Sequence, residues 1–322
     1  MKFVCAVAFV EVMMVFGIEW TVFWPYFAGI VLSIVGVAMI VGGEVPQAKG
    51  LNKMVVFGRL FLAVPMAIFG AEHFVSWRVM GRMVPSWIPW HSFWILLVGA
   101  ALIAAATSII VKKFAGLAAT LLAAMLFSFV LLIHIPNAIA TSGDRIRLAV
   151  ALRDTAFSAG ALAFAVAQAQ QSTRFTAAML RLARSVIGIV SFVFGVEHFF
   201  HPQNVPVVPL AQLLPAWIPG HVALSFATGT VMIACGVGII GGSKARLAAM
   251  WLGIYSVAIV LLVYLPMLLA KPGDIGVGMN YFADTMVFCG CALVLAEALP
   301  DRATTESAAM LSVEAAEQGS SD

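Results

Sequence analysis

One stretch of this chain is written twice. Pro85-Ser86-Trp87-Ile88-Pro89-Trp90-His91 returns as Pro215-Ala216-Trp217-Ile218-Pro219-Gly220-His221, and a Glu-His-Phe triplet precedes each copy, as Glu72-His73-Phe74 and Glu197-His198-Phe199. A repeat of this kind constrains the fold before any single element does, because both copies must fold as the same unit. From Pro85 onward the copies keep a spacing of 130 residues, so that His134-Ile135-Pro136 falls on Tyr264-Leu265-Pro266 and Asp144 and Asp154 fall on Asp274 and Asp284. Upstream the spacing is 125, which places an insertion of five residues between Phe199 and Pro215.

The repeat is built from long apolar runs. They cover 23–43, 60–77, 88–111, 114–135, 154–173, 185–200, 219–241, 247–270 and 281–299, with a shorter run over 3–18 that contains Glu11. About 20 such residues cross a bilayer core. With 62% hydrophobic and 10% charged residues, the chain cannot cover a soluble globule with polar side chains. Continuous runs without alternation favour helices over barrel strands. The expected fold is all-α, a polytopic transmembrane helical bundle of about ten spans. It divides into an N-terminal membrane hairpin or anchor over 1–45, four-helix repeats over 56–173 and 183–299, and a polar, acidic, disordered tail over 300–322. Nine spans is the alternative if 3–18 does not cross; that stretch lacks a small-residue cleavage site and is read as an anchor.

Charge sets the orientation. Lys49, Lys53, Arg59, Lys112, Lys113, Arg174, Arg181, Arg184, Lys244, Arg246 and Arg302 crowd one set of alternate loops, while the loop 201–220 has no Lys or Arg. By the positive-inside rule the first set is cytoplasmic, which puts both termini on the cytoplasmic side of an inner membrane. Four spans per repeat, an even number, make the repeats parallel, unlike an inverted-repeat transporter. A net charge of +3 without a basic run gives no basis for binding nucleic acid. Cys289 and Cys291, two apart on a helix, diverge by about 200° and cannot clasp one metal.

The scarce polar residues then gather toward the non-cytoplasmic face. The candidate site residues are Glu72, His73, His91, His134 and Asp154 in repeat one, with Glu197, His198, His221, Tyr264 and Asp284 in repeat two. A helix unbroken from Asp144 carries Asp154 about 15 Å deeper, where a carboxylate needs a partner or a proton. Arg153 diverges from Asp154 by about 100°, so the partner is expected from another span. Gly276 and Gly278 suggest a late helix start capped by Asn280, leaving Asp284 one turn in. Pro89 and Pro219 suit a first helical turn, and the prolines of 201–220 lay that loop on the headgroups or over the bundle. Three chemistries fit the cluster: quinone or proton exchange through histidine and carboxylate, paired-histidine ligation of haem or a metal, and structural pairing between helices. A haem between His73 and His134 has no counterpart in repeat two, where Tyr264 stands, and a quinone fits better. A membrane scaffold or small-molecule or lipid carrier is the non-enzymatic alternative.

Gly188-Ile189-Val190-Ser191-Phe192-Val193-Phe194-Gly195-Val196-Glu197-His198-Phe199, and Phe69-Gly70-Ala71-Glu72-His73-Phe74 in repeat one, resemble the first span of the DoxX-like membrane protein family, whose unit has four helices. The resemblance covers about 58–173 and 183–299. It implies an integral membrane subunit in respiratory or sulfur-oxidising contexts, beside a partner redox subunit, with relatives including a thiosulfate:quinone oxidoreductase and proteins of cargo export. Glu-His-Phe stands here where many members place a lysine.

Overall fold

A bilayer offers the backbone no hydrogen-bond partners, so each apolar run closes its own ladder as a helix. The computed structural model describes residues 19–300 and contains nine helices long and apolar enough to cross a membrane among them. They are α1 (Trp20–Gly43), α2 (Gly58–Val75, preceded by the turn Asn52–Val55), α3 (His91–Val111), α4 (Ala115–Ala140), α5 (Arg145–Ala167), α6 (Arg174–Phe200), α7 (His221–Gly241), α8 (Ala245–Ala270) and α9 (Ile275–Ala298). The expected tenth run, 3–18, and nearly all of the tail lie outside the described residues. Helices α2–α5 form repeat one and α6–α9 repeat two.

Local chemistry sets the helix ends. The carboxylate of Asp144 accepts from the backbone N–H groups of Ile146 and Arg147 at the start of α5, and Thr173 closes a capping box with Thr176 at the start of α6. Helix α6 therefore begins well before 185, inside the stretch expected to be linker. Pro136 and Pro266 each lack an N–H, and just before them the ladder widens into a π-turn, Val130–His134 in α4 and Val260–Tyr264 in α8. The matched defects turn His134 and Tyr264 at equivalent places. Helices α3 and α7 begin after Trp90 and Gly220 in left-handed conformation, φ 58° and 69°, so Pro89 and Pro219 precede the first turn instead of occupying it.

The repeats interlock. Within each, the first span packs on the second and the third on the fourth, whereas the first and fourth scarcely meet; each fourth span instead packs on the first span of the other repeat, α9 on α2 and α5 on α6, and α5 also packs on α9. Small residues permit this approach. A Cβ on Gly290 would lie 2.4 Å from the Leu62 nitrogen, and one on Gly160 only 2.2 Å from Cys291 Sγ. Cys289 and Cys291 are buried in this seam as packing residues. At the basic end Arg59 and Lys112 both reach Glu44, at 2.6 and 3.0 Å.

Candidate functional site

Repeat one encloses a cleft of about 2420 Å³. Its walls come from α3 and α4, which meet along only part of their length, and its lining runs from Trp77, Trp87 and His91 at one end to Phe114 and Leu117 at the other. Leu97, Leu117, Leu121 and Leu131 line it while remaining exposed, so the cleft opens sideways toward the surrounding lipid. Over most of its height its lining is mainly apolar, with Ser108 and Ser128 among it.

One end of the cleft is charged. His134, turned by the π-helix, holds Asp154 Oδ2 through Nε2 at 2.7 Å. Arg153 Nε donates to Asp154 Oδ1 at 2.8 Å, and Arg153 Nη1 crosses between repeats to Asp284 Oδ2 at 2.5 Å. The guanidinium also lies 5.6 Å over the Phe157 ring. One guanidinium thus faces two carboxylates, and His134 supplies the second positive charge when it carries a proton. Beside them Glu72 is buried and accepts from the Asn280 amide nitrogen at 2.6 and 3.2 Å, with that amide turned to face it. His134, Arg153, Asp154, Asn280 and Asp284 all line the cleft.

His73 completes this end. Its Nδ1 lies 2.7 Å from the Phe69 carbonyl oxygen, one turn back. A carbonyl only accepts, so Nδ1 carries the hydrogen and, in the neutral ring, Nε2 presents a lone pair. Nε2 has no hydrogen-bond partner among the described residues, and His73 lines the cleft.

The expectation that Asp154 is partnered from another span holds for His134 but misses Arg153. Successive Cβ atoms do diverge on a helix, yet the arginine side chain is long enough to wrap back to its neighbour while reaching Asp284. Asn280 is not a cap either. Asp274 caps α9 by accepting from the Val277 N–H at 2.9 Å, a π-turn over Ile275–Met279 follows, and Asp284 lies deeper than one turn.

Repeat two contains the same positions in a different state. The inserted loop folds inward, and residues 204–210 are buried without interruption. The Val207 N–H donates to His198 Nε2 at 3.0 Å, while His198 Nδ1 lies 2.5 Å from the Phe194 carbonyl oxygen. The Tyr264 hydroxyl donates to the Pro206 carbonyl at 2.5 Å, and the Gln212 N–H donates to the Tyr281 hydroxyl at 3.0 Å. Arg145 of repeat one donates to Glu197 at 3.1 Å and to the Pro209 carbonyl at 2.8 Å. Val207 holds φ 72°, a left-handed conformation that a β-branched residue rarely adopts. Of the two placements expected for this loop, it takes the one over and into the bundle. His221 Nε2 lies 3.0 Å from the Pro215 carbonyl oxygen and closes its own turn; His91 lines the cleft mouth. His201 is half exposed and lies 3.7 Å from Glu197.

The structure therefore brings His73, His91, His134, Asp154 and Asp284 to one cleft, sets Glu72 behind it, and removes Glu197, His198 and Tyr264 to the filled counterpart. Sequence reasoning missed Arg145, Arg153 and Asn280. Their signal was a break in the repeat, since they align with Ile275, Ala283 and Val150. Among the described residues no group of three or more His, Cys, Asp or Glu is arranged to hold a metal ion. His73 and His134 share a cavity, as a haem pair would, but Asp154 already engages Nε2 of His134. Compared with protein-family models, curated proteins and solved structures, the chain matches none of them.

Proposed function

We propose that this multi-pass membrane protein is a tandem DoxX-like unit that takes a lipid-soluble molecule of quinone type into the cleft of repeat one. The observation carrying this reading is a lipid-open apolar slot that ends at His73, His134, Asp154 and Arg153. An isoprenoid or alkyl tail fits the slot; at its end the Arg153 guanidinium can donate to a ring oxygen in either redox form, and the His73 lone pair can accept from the O–H of the reduced, quinol form. Arg153 Nη2 has no hydrogen-bond partner among the described residues, and Arg153 lines the cleft, so it is the natural donor to a ring oxygen. His134 and Asp154 form a hydrogen-bonded pair able to pass a proton as the ring changes redox state. Electrons would be exchanged with a partner redox subunit. The loop charges support a cytoplasmic location for both termini, and with it a polar end of the cleft that faces the opposite side.

The scaffold reading has its own observation. The polar groups of repeat two are spent on one another and on the inserted loop, and Asp284 is spent on Arg153. That half supports the fold, and ligand chemistry is confined to repeat one.

The test is organic extraction of the purified protein, with detection of quinone by ultraviolet absorption before and after borohydride reduction. About one quinone per chain is expected from the wild type and a large loss from His134→Ala/Asp154→Asn, with membrane insertion intact. Wild-type protein that is quinone-free and cannot be loaded with quinone would end this reading.

A further inference from the structure

The two repeats present one site in two states, and the filled copy describes what the open copy takes. His198 and His73 occupy equivalent positions, and each ring points Nδ1 at the carbonyl one turn back, Phe194 at 2.5 Å and Phe69 at 2.7 Å. This fixes the same tautomer in both, leaving Nε2 as an acceptor. In repeat two Nε2 receives the Val207 N–H at 3.0 Å. In repeat one His73 lines the cleft, and its Nε2 receives no hydrogen bond from the described residues.

The second fixed point is the π-turn residue of the third span. Tyr264 is 1% exposed and donates to the Pro206 carbonyl; His134 takes its place at the cleft and bonds Asp154 instead. Between His198 and Tyr264 the loop inserts the Pro206–Val207 peptide group, a carbonyl and an N–H, backed by the apolar side chains of Val205, Val207, Val208 and Leu210. That is an amphiphile with a compact polar head. Val207, whose N–H meets His198, is held left-handed, a conformation that costs about 1–2 kcal/mol for an L-residue. Repeat one, five residues shorter here, makes only the turn Trp77–Met80 at this place, with no buried residue; its cleft stays open.

We propose that residues 204–210 are a built-in occupant of the second site, and that the open site takes an amphiphile whose head carries an O–H or N–H donor for Nε2 of His73. The proposal rests on the cleft being a ligand site and adds two properties to it: one ligand per chain, and a hydrogen-bond donor on the head, which a molecule of quinone type carries in its reduced, quinol form. A hydroxyl on an aryl or an alkyl carrier meets the same requirement.

Three probes of one tail length separate these statements: 4-dodecylphenol, its methyl ether 4-dodecylanisole, and dodecanol. They are titrated into the full-length protein in detergent, with the fluorescence of Trp77, Trp87 and Trp94 at the cleft as the signal. The phenol should bind one per chain and at least tenfold more tightly than the anisole. His73→Phe should abolish that difference while weak binding of both persists; His198→Phe should preserve it. Tight dodecanol binding assigns an alkyl hydroxyl, and weak binding an aryl one. Equal affinity of phenol and anisole overturns the donor requirement but leaves the ligand cleft standing. No binding of any probe, in protein that also yields no quinone, overturns both. Stoichiometry tests the built-in occupant: replacing 200–214 by 75–84 should raise phenol binding from one to two per chain, and a folded variant still binding one overturns self-occupation. Should that chimera not insert, the full-length chain decides, because a second phenol equivalent already present in wild type, lost in His198→Phe, would show that the loop is not a permanent occupant.

Discussion

Arg153 joins the two repeats at the polar end of the cleft by bonding a carboxylate from each, and replacing it by methionine tests how that end is held. The guanidinium is 17% exposed and bonds two carboxylates on different helices, at 2.8 and 2.5 Å. Were it only one more polar contact between helices in a bilayer, its loss would cost on the order of 0.6 kcal/mol. Removing it, however, leaves Asp284 buried without its partner and Asp154 with His134 alone, and breaking a buried pair in this way costs about 3–5 kcal/mol. The ratio of folded to unfolded protein then falls by about a hundredfold to a few thousandfold. At about 2–4 °C per kcal/mol, the midpoint falls by about 6–20 °C. The assay is thermal unfolding in detergent followed by fluorescence-detected size exclusion, with Arg147→Met as the control. Arg147 pairs with Asp144 at 3.2 Å but is 47% exposed, and such a pair is worth under about 1 kcal/mol. Arg153→Met/Asp284→Leu removes one uncompensated charge along with the guanidinium, while Asp154 keeps His134, and should recover at least half of the loss. If Arg153→Met unfolds no earlier than Arg147→Met, the cross-repeat network does not hold this end together and the reasoning fails.

Three further outcomes follow from named contacts. Tyr264→Phe removes the hydrogen bond to the Pro206 carbonyl, worth about 1 kcal/mol; maleimide labelling of Val207→Cys, in a chain cleared of its native cysteines, should speed up about fivefold, and an unchanged rate would mean that this bond does not hold the loop. Gly290→Ala drives a Cβ to 2.4 Å from the Leu62 nitrogen, where backbone cannot yield, and should destabilise by about 1–3 kcal/mol, whereas Gly42→Ala, with nothing within 4 Å, should not; equal midpoints for the two would contradict the close packing of α9 on α2. Glu197→Gln/His198→Ala should loosen the inserted loop and leave quinone loading of the wild-type cleft within twofold, while a loss as large as that of His134→Ala/Asp154→Asn would move the site to repeat two.

Helices, their order and the repeat were legible because each depends on residues close together in sequence. A run such as 221–241 has no structural alternative in lipid but a helix, and an even number of spans fixes which ends share a face. A helix starting at Asp144 with Asp154 deep in it followed from local geometry alone. Asn280 was misjudged by the same local reasoning, since its amide is drawn to Glu72 across the α2–α9 interface that no local pattern describes.

Only the tertiary structure decided which copy can take a ligand. The Glu-His-Phe triplets are identical as text, yet His198 is 1% exposed and capped by Val207 while His73 looks into an open cleft. The sequence determined a duplicated helical membrane unit with its polar residues at one end, because hydropathy and periodicity act along the chain. The unlike fates of the two sites come from a five-residue insertion folding inward and from Arg153 reaching Asp284. Both are contacts between segments far apart in the chain, and side-chain reach and packing across helices set them.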